Sequence, residues 1–218
     1  MPMNDFNSIF IIEDDVDLST AIKRLLSSDV HEIQVFHSAE DFLDSIKKNL
    51  VEENVELIHP GCIILDVRLP EMSGLTLFDK LRKHNILSLF PTIFLTGHGE
   101  IDMGVDAIKD GAFDFFPKPF NSEKLLATVS NALLESKLKL KKKITIKKIE
   151  DKINLLTAKE KELMREITKG YSNKEIATSF NNSIRTIELH RSRVFEKMEV
   201  ASAVELTSKL ERLNSLKD

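Results

Sequence analysis

Cys62-Ile63-Ile64-Leu65-Asp66 is a run of four apolar residues that ends directly at a carboxylate. A short run that is apolar at every position predicts a strand buried on both faces of a sheet. Mainly apolar runs occur four more times in the first half of the chain, at residues 9–12, 33–36, 92–95 and 114–116. Segments with helical spacing of apolar residues separate them, so we predict a doubly wound α/β domain with five parallel strands.

Five helices are predicted in this half. Three lie at residues 38–50, 73–84 and 102–110, one precedes them and one follows them. The first helix follows Ile12, and we expect Asp17 to cap its start. The last opens at Ser122 and continues into a Lys-rich segment, residues 136–152, which we predict to be a helical linker. Residues 47–60 make an unusually long connection, which we interpret as a tolerated surface insertion, with a longer helix or a flap as alternatives.

Composition limits the classes of function that need to be considered. The 218 residues include one cysteine, which excludes an internal disulfide framework and a cysteine-based zinc site. No apolar run approaches the roughly 18 residues of a membrane span, and residues 1–7 lack the basic region of a secretory signal, so we expect a cytoplasmic protein. The net charge of −4 divides into −12 over residues 1–135 and +8 over residues 136–218. An acidic half joined to a short basic half predicts two domains with different partners, the basic one a candidate for nucleic acid.

Polar side chains follow the predicted strands where these end. Glu13, Asp14 and Asp66 come from two strand ends that we expect to be neighbours, and Thr96 and Lys118 follow the next two. Three unpaired carboxylates would repel one another, and Mg²⁺ is the hard cation that suits such a shallow oxygen site. Asp66 could then attack a phosphoryl donor, while Lys118 and the cation neutralise the transferred group. The Thr96 hydroxyl could hydrogen-bond a phosphoryl oxygen once one is present.

Residues 7–135 resemble the receiver domain of two-component response regulators. The motifs that carry the resemblance are Glu13-Asp14-Asp15, Leu65-Asp66-Val67-Arg68-Leu69-Pro70-Glu71-Met72-Ser73-Gly74, Thr96-Gly97-His98 and Lys118-Pro119-Phe120. The resemblance implies a flavodoxin-like fold with Asp66 as the phosphoacceptor, Asp14 and Asp66 as Mg²⁺ ligands and Glu13 acting through water. It also implies a cis peptide bond before Pro119 and a switch role for Phe115.

The sequence of residues 153–216 predicts four short helices. Three begin with the capping pattern Ser/Thr-x-x-Glu, at Thr157, Ser172 and Ser202, and Gly170 lies where the first should end. Ser183 could cap the other helix, whose apolar residues Ile187, Val194 and Met198 have helical spacing. A short helix, a tight turn and a basic helix outline a helix-turn-helix.

Residues 153–216 resemble the LuxR-type helix-turn-helix domain of NarL/FixJ regulators. The resemblance rests on Gly170-Tyr171-Ser172-Asn173-Lys174-Glu175-Ile176-Ala177, Arg185-Thr186-Ile187-Glu188-Leu189-His190-Arg191 and Lys197-Met198. It makes residues 183–199 the recognition helix, in which basic side chains suit phosphates and Glu188 could accept from cytosine N4. The predicted DNA-contacting residues are Ser172, Asn173, Lys174, Arg185, Thr186, Glu188, Leu189, Arg191, Ser192, Arg193 and Lys197.

Together the two halves predict a response-regulator transcription factor with a FixJ-like receiver. A sensor histidine kinase would phosphorylate Asp66, the protein would dimerise, and the pair would bind a roughly two-fold-symmetric duplex site, with RNA polymerase as a further partner. One alternative is an aspartyl-phosphate phosphatase, although Arg68 stands where such an enzyme needs a second acid. The other is a receiver with a protein- or RNA-binding output, although Tyr171, Phe180 and Phe195 are its only aromatic residues.

Overall fold

The computed structural model describes residues 7–27, 31–50, 59–84, 86–97 and 106–217. Its described residues divide into two compact units, Met1–Lys141 and Lys142–Asp218. The first unit contains one parallel sheet of five strands in the order β2-β1-β3-β4-β5. The strands are β1 (Asn7–Ile12), β2 (His31–Phe36), β3 (Gly61–Asp66), β4 (Thr92–Thr96) and β5 (Asp114–Pro117). The predicted fold class, with five parallel strands, is confirmed.

The strand order places the carboxyl ends of β1, β3 and β4 side by side. Consecutive strands β1 and β2 lie on one side, and β3 returns to the other side of β1, so the chain reverses its winding beside β1 and β3. Ile12 pairs with Leu65, and Asp66 pairs with Leu95, so these strands end at nearly the same level. Ligands bind in open α/β sheets at such a reversal, outside the carboxyl ends of the strands.

Helices connect the strands of the first unit. They are α1 (Val16–Leu26), α2 (Ala39–Leu50), α3 (Gly74–Lys83) and α4 (Ser122–Asn154), with a 3₁₀ turn at Ile86–Ser88. Residues 106–109 are also helical, and residues 102–105 of the predicted helix 102–110 lie outside the described residues. Residues 51–58 of the long connection after α2 also lie outside the described residues. Residues 136–152 are helical throughout, because α4 continues through them without a break.

The central strands β3 and β4 are buried on both faces of the sheet, as their apolar runs predict. Every residue of β3 and β4 is buried, and Cys62 lies in the core with Ile9, Ile64 and Leu125.

Gly74 begins α3 where the helix contacts the end of β3. A Cβ atom at this position would lie 2.0 Å from the carbonyl oxygen of Asp66, so only glycine permits the approach.

The predicted cap of α1 is wrong by two residues. Asp15, not Asp17, precedes the helix with an extended backbone. Its Oδ1 atom accepts hydrogen bonds from the backbone N–H groups of Asp17 at 2.9 Å and Leu18 at 3.0 Å. The helix begins one residue after Asp15, at Val16, so Asp17 lies inside the first turn, where its charge favours the helix dipole.

The second unit consists of the end of α4 and four further helices: α5 (Ala158–Thr168), α6 (Asn173–Ser179), α7 (Ile184–Met198) and α8 (Ala203–Lys217). Thr157 and Ser172 form complete capping boxes with Glu160 and Glu175, and Ser183 caps α7. At Ser202 the box is incomplete, because Glu205 accepts from the backbone N–H of Ala201. Gly170 ends α5 with φ of 87°. Among the described residues no helix is long and apolar enough to cross a membrane.

Candidate functional site

Three carboxylates meet at the carboxyl edge of the sheet. Glu13 and Asp14 follow β1 and Asp66 ends β3, and one oxygen from each lies within 4.8 Å of the others. Glu13 and Asp66 are buried, whereas Asp14 is exposed. The backbone N–H of Arg68 donates to Asp66 Oδ1 at 3.1 Å and so helps to fix the carboxylate. The acidic cluster predicted from the sequence is therefore assembled.

Lys118 joins two of these carboxylates. Its Nζ atom lies 2.7 Å from Glu13 Oε2 and 2.7 Å from Asp66 Oδ2. The peptide bond between Lys118 and Pro119 is cis, as the resemblance implies. Burial raises the pKa of Glu13 to about 7, because the hydrogen bond from Lys118 offsets only part of the desolvation. Burial by itself lowers the pKa of Lys118, but its hydrogen bonds to Asp66 and Glu13 leave that pKa raised.

The donor set suits a hard divalent cation. Carboxylate oxygens are the ligands that Mg²⁺ prefers, and the exposure of Asp14 leaves room for water ligands on that side. One lysine cannot balance three carboxylates, so a divalent cation would relieve the remaining repulsion. When bound, such an ion would supply charge neutralisation for an anionic group brought to the cluster.

Thr96 and Phe115 lie on the neighbouring strands. Thr96 is fully buried at the end of β4, and its Oγ1 atom donates to the backbone oxygen of Phe116 at 3.4 Å. Phe115 is half-buried on β5, paired with Phe94 of β4. The Lys118 backbone N–H donates to the backbone oxygen of Thr96 at 2.7 Å, so the adjacent ends of β4 and β5 hold these two polar residues together.

The second unit presents a polar face on α7. Ile187, Val194 and Met198 are buried in its core, as predicted. The opposite side of the helix exposes five of the predicted DNA-contacting residues: Arg185, Glu188, Leu189, Ser192 and Arg193. Lys174 is exposed at the start of α6. We call these six residues the basic face.

The other predicted contact residues have partners within the unit. Ser172 Oγ donates to Glu175 at 2.7 Å, and Thr186 Oγ1 lies 2.8 Å from Ser183 Oγ. Arg191 donates to Asn173 at 3.1 Å, and Lys197 donates to Glu160 at 2.7 Å. Their DNA contacts stay predictions. The capping pattern predicts the role of Glu160 at the start of α5 but not its ion pair with Lys197, which is 37 residues away.

Two lysines from other helices contact the C-terminal end of α7, and the sequence analysis did not predict these contacts. Lys209 of α8 donates to the backbone oxygens of Met198 and Glu199, at 2.7 and 3.2 Å. Lys152 of α4 forms an ion pair with Glu199, whose left-handed backbone ends the helix. Lysine near a helix C-terminus is a known capping signal, but here the lysines come from other helices, so the local sequence carries no sign of them.

Comparison with known proteins identifies both units. Residues 9–130 match the response regulator receiver domain, and residues 154–210 match the bacterial regulatory proteins of the luxR family. The chain belongs to the response regulators that join a receiver to a LuxR-type DNA-binding domain. It is a DNA-binding response regulator of a two-component system, which implies a histidine kinase partner.

Similar proteins share nearly the whole length of the chain. The response regulator protein TodT of Pseudomonas putida is 34% identical over 94% of this chain and 86% of its own. The transcriptional regulatory protein FixJ of Bradyrhizobium diazoefficiens is 31% identical over 96% of this chain and 97% of its own. The structure of the response regulator StyR has a TM-score of 0.83 at 29% identity, covering 95% of this chain and 99% of that one. These matches confirm the predicted family, whose members are regulators rather than classical enzymes.

Proposed function

We propose that this regulator is switched by phosphorylation of Asp66. The observation that carries the proposal is the contact of Lys118 Nζ with both Asp66 and Glu13, at 2.7 Å each. A carboxylate oxygen of Asp66 would attack the phosphorus of the donor, the bond to the leaving group would break, and an acyl phosphate would form. Lys118 already lies where the transferred oxygens would acquire charge, and it would stabilise them there.

Mg²⁺ is the cofactor we propose for this step, held by Asp14 and Asp66 with Glu13 acting through water. The chain's own contribution is to keep Glu13 and Asp66 buried beside Lys118 while Asp14 stays open to solvent. The proposed receiver spans residues 7–135, the linker residues 136–152 and the DNA-binding domain residues 153–216.

Loss of metal binding gives the first prediction. We expect Asp14→Ala to lower Mg²⁺ affinity and phosphorylation together, because the proposed cation would share the cluster of three carboxylates to which Asp14 belongs. Mg²⁺ titration followed by calorimetry, and phosphoryl incorporation from acetyl phosphate, would measure the two effects. Asp17→Ala, an exposed acid three residues away, is the control. Normal phosphorylation of Asp14→Ala in the presence of a chelator would place the site elsewhere.

The proposed output of phosphorylation is dimerisation through a change at Thr96 and Phe115. A new dianion on Asp66 would give the Thr96 hydroxyl a stronger acceptor than the oxygen of Phe116, to which its present bond is 3.4 Å long. Movement of Thr96 would open space into which Phe115 could turn.

Thr96→Ala tests this order of events. We expect the variant to be phosphorylated at close to the wild-type rate but to lose phosphorylation-induced dimerisation, because its hydroxyl acts after transfer. Light scattering with and without acetyl phosphate measures the dimer. Thr96→Ser keeps the hydroxyl and should dimerise normally. Equal dimerisation of Thr96→Ala and the wild-type protein would refute the role of the hydroxyl.

The DNA partner we propose is a two-fold-symmetric duplex site that the dimer contacts through the basic face. On α7 the exposed Arg185 and Arg193 would contact phosphates, and Glu188 and Leu189 between them would meet base edges. RNA polymerase is a proposed further partner at the promoter.

A binding experiment with the full chain tests this function. Duplexes selected by the protein from a randomised pool should contain two related half-sites, and treatment with acetyl phosphate should increase their affinity. Single-stranded and RNA versions of the same sequence are the controls. Selection of an asymmetric site with no effect of phosphorylation would contradict the proposal.

A further inference from the structure

Arg191 occupies a different side of α7 from the other two arginines of that helix. Successive residues of a helix are rotated by about 100°, which places Arg185 about 160° and Arg193 about 120° from the buried Ile187. Arg191 lies only about 40° from Ile187 on the same count. Accordingly, Arg185 and Arg193 are exposed, whereas Arg191 is half-buried. Arg191 therefore belongs to the border of the core rather than to the basic face.

Two contacts fix the guanidinium of Arg191. Its Cζ atom lies 5.3 Å from the centre of the Phe195 ring, one turn further along α7, in a cation–π contact. Its Nη1 atom donates to Asn173 Oδ1 at 3.1 Å. Asn173 is the first residue of α6, so this hydrogen bond joins the two helices of the helix-turn-helix.

The hydrogen bond also determines which way the Asn173 amide is turned. A guanidinium has donors and no acceptor, so the amide must present its oxygen to Arg191 and its NH₂ group on the other side. Within the described ranges the Asn173 NH₂ group donates to no protein acceptor. The neighbouring Ser172 hydroxyl is already bound to Glu175. Asn173 therefore retains two oriented N–H donors at the start of α6, beside the basic face.

We propose that Arg191 is a positioning residue: it holds the Asn173 amide so that its NH₂ group donates to a phosphate of bound duplex DNA, and its own guanidinium contacts no phosphate. The inference rests on the proposed DNA contact of the basic face. A donor already held in its bound orientation loses less conformational entropy on binding than a free side chain. Here the orienting group is itself locked by Phe195.

The dependence of affinity on salt separates positioning from direct contact. A cationic side chain that neutralises one phosphate contributes about 0.9 to the slope of log K against log salt for duplex DNA. A neutral amide releases no counterion when it donates to a phosphate. We therefore expect Arg191→Ala and Asn173→Ala each to weaken binding roughly tenfold while leaving the slope unchanged. Arg193→Ala, the control on the exposed side of α7, should lower the slope by about 0.9 for each subunit of the bound dimer.

A double-mutant cycle in the full chain completes the test, with a fluorescent duplex selected by the wild-type protein as probe. The variant that combines Arg191→Ala with Asn173→Ala should bind about as weakly as either single variant, because both remove the same contact. Asn173→Asp keeps an acceptor for Arg191 but replaces the donors by a carboxylate, so it should bind more weakly than Asn173→Ala. It also provides a test that does not depend on the folding of Arg191→Ala.

Several results would overturn the inference. A slope lowered by about 0.9 per subunit of the bound dimer in Arg191→Ala, with an additive loss from Asn173→Ala, would make Arg191 a direct phosphate ligand. Wild-type affinity in Asn173→Ala or Asn173→Asp would also contradict it. Failure of the proposed DNA face is distinguishable, since Arg185→Ala and Arg193→Ala would then both bind with wild-type affinity and slope.

Discussion

Asp66→Asn is expected to reduce phosphorylation of the chain to background. The substitution preserves the size of the side chain and an oxygen that can accept from Lys118, but an amide is not a nucleophile at neutral pH. No other carboxylate of the cluster lies at the end of β3: Glu13 and Asp14 follow β1. Incubation with acetyl phosphate and Mg²⁺, followed by intact mass spectrometry, would show the loss of the single phosphoryl adduct.

The matched control for Asp66→Asn is Asp17→Asn, an exposed acid in the first turn of α1. It should take up phosphate like the wild-type protein. Thermal unfolding of both variants would show that the fold is intact. A phosphoryl adduct on Asp66→Asn at the wild-type level would defeat the assignment of the phosphoacceptor and the switch built on it.

Features that depend on the spacing of apolar residues along the chain could be predicted from the sequence. Runs that are apolar at every position mark strands buried on both faces, and the polar residues after them mark the edge of the sheet where the site lies. The prediction that Glu13, Asp14 and Asp66 meet needed only this rule and the expectation that β1 and β3 are neighbours. The same holds for the inward side of α7, since residues 187, 194 and 198 follow helical spacing.

Features that depend on which side chains meet across the fold could not be predicted. Sequence reasoning treated Lys118 as a ligand for a transferred group, and the structure adds its ion pairs with Glu13 and Asp66. It also treated Arg191 and Lys197 as two similar cations of a basic helix. Their partners lie 18 and 37 residues away, and no local pattern identifies a partner at such distances. The wrong cap of α1 has a different cause, because Asp15 and Asp17 carry the same side chain and only the start of the helix distinguishes them.

The ion pair between Glu160 and Lys197 leads to the largest expected change in stability. Glu160 is buried, with its side chain 6% exposed, and it accepts from Lys197 Nζ at 2.7 Å and from the backbone N–H of Thr157 at 2.8 Å. These bonds lower the pKa of Glu160 to about 2, with the hydrogen bond from Lys197 as the main cause. Lys197→Ala would leave a buried carboxylate without its cation. Because Lys197 is itself one-third exposed, we expect a loss of about 2 kcal/mol in the free energy of unfolding, below the 3–5 kcal/mol of a fully buried pair.

The depressed pKa of Glu160 fixes the sign of the pH dependence. Unfolded, the carboxyl group has its ordinary pKa near 4.5, and folded it has a pKa of about 2. The stabilisation is therefore complete above about pH 5 and is lost as the pH falls from there towards 2. Glu160→Gln keeps an acceptor for the capping box and removes the charge. The difference in stability between the wild-type protein and Glu160→Gln should be largest near pH 7 and shrink as the pH falls below about 4.5.

Tyr171 makes the measurement specific to the second unit. It is the only tyrosine of a chain without tryptophan, so its fluorescence during urea unfolding reports the unit that contains Glu160 and Lys197. Lys159→Ala, an exposed lysine in the first turn of α5, is the control and should leave the unfolding midpoint unchanged. The sequence alone predicts instead that Lys197 contacts a phosphate of DNA. In that case Lys197→Ala would keep the stability of the wild-type protein and lower the salt dependence of DNA binding. Wild-type stability of Lys197→Ala, together with a salt slope for DNA binding lowered by about 0.9 per subunit of the bound dimer, would show that the lysine leaves Glu160 to contact DNA.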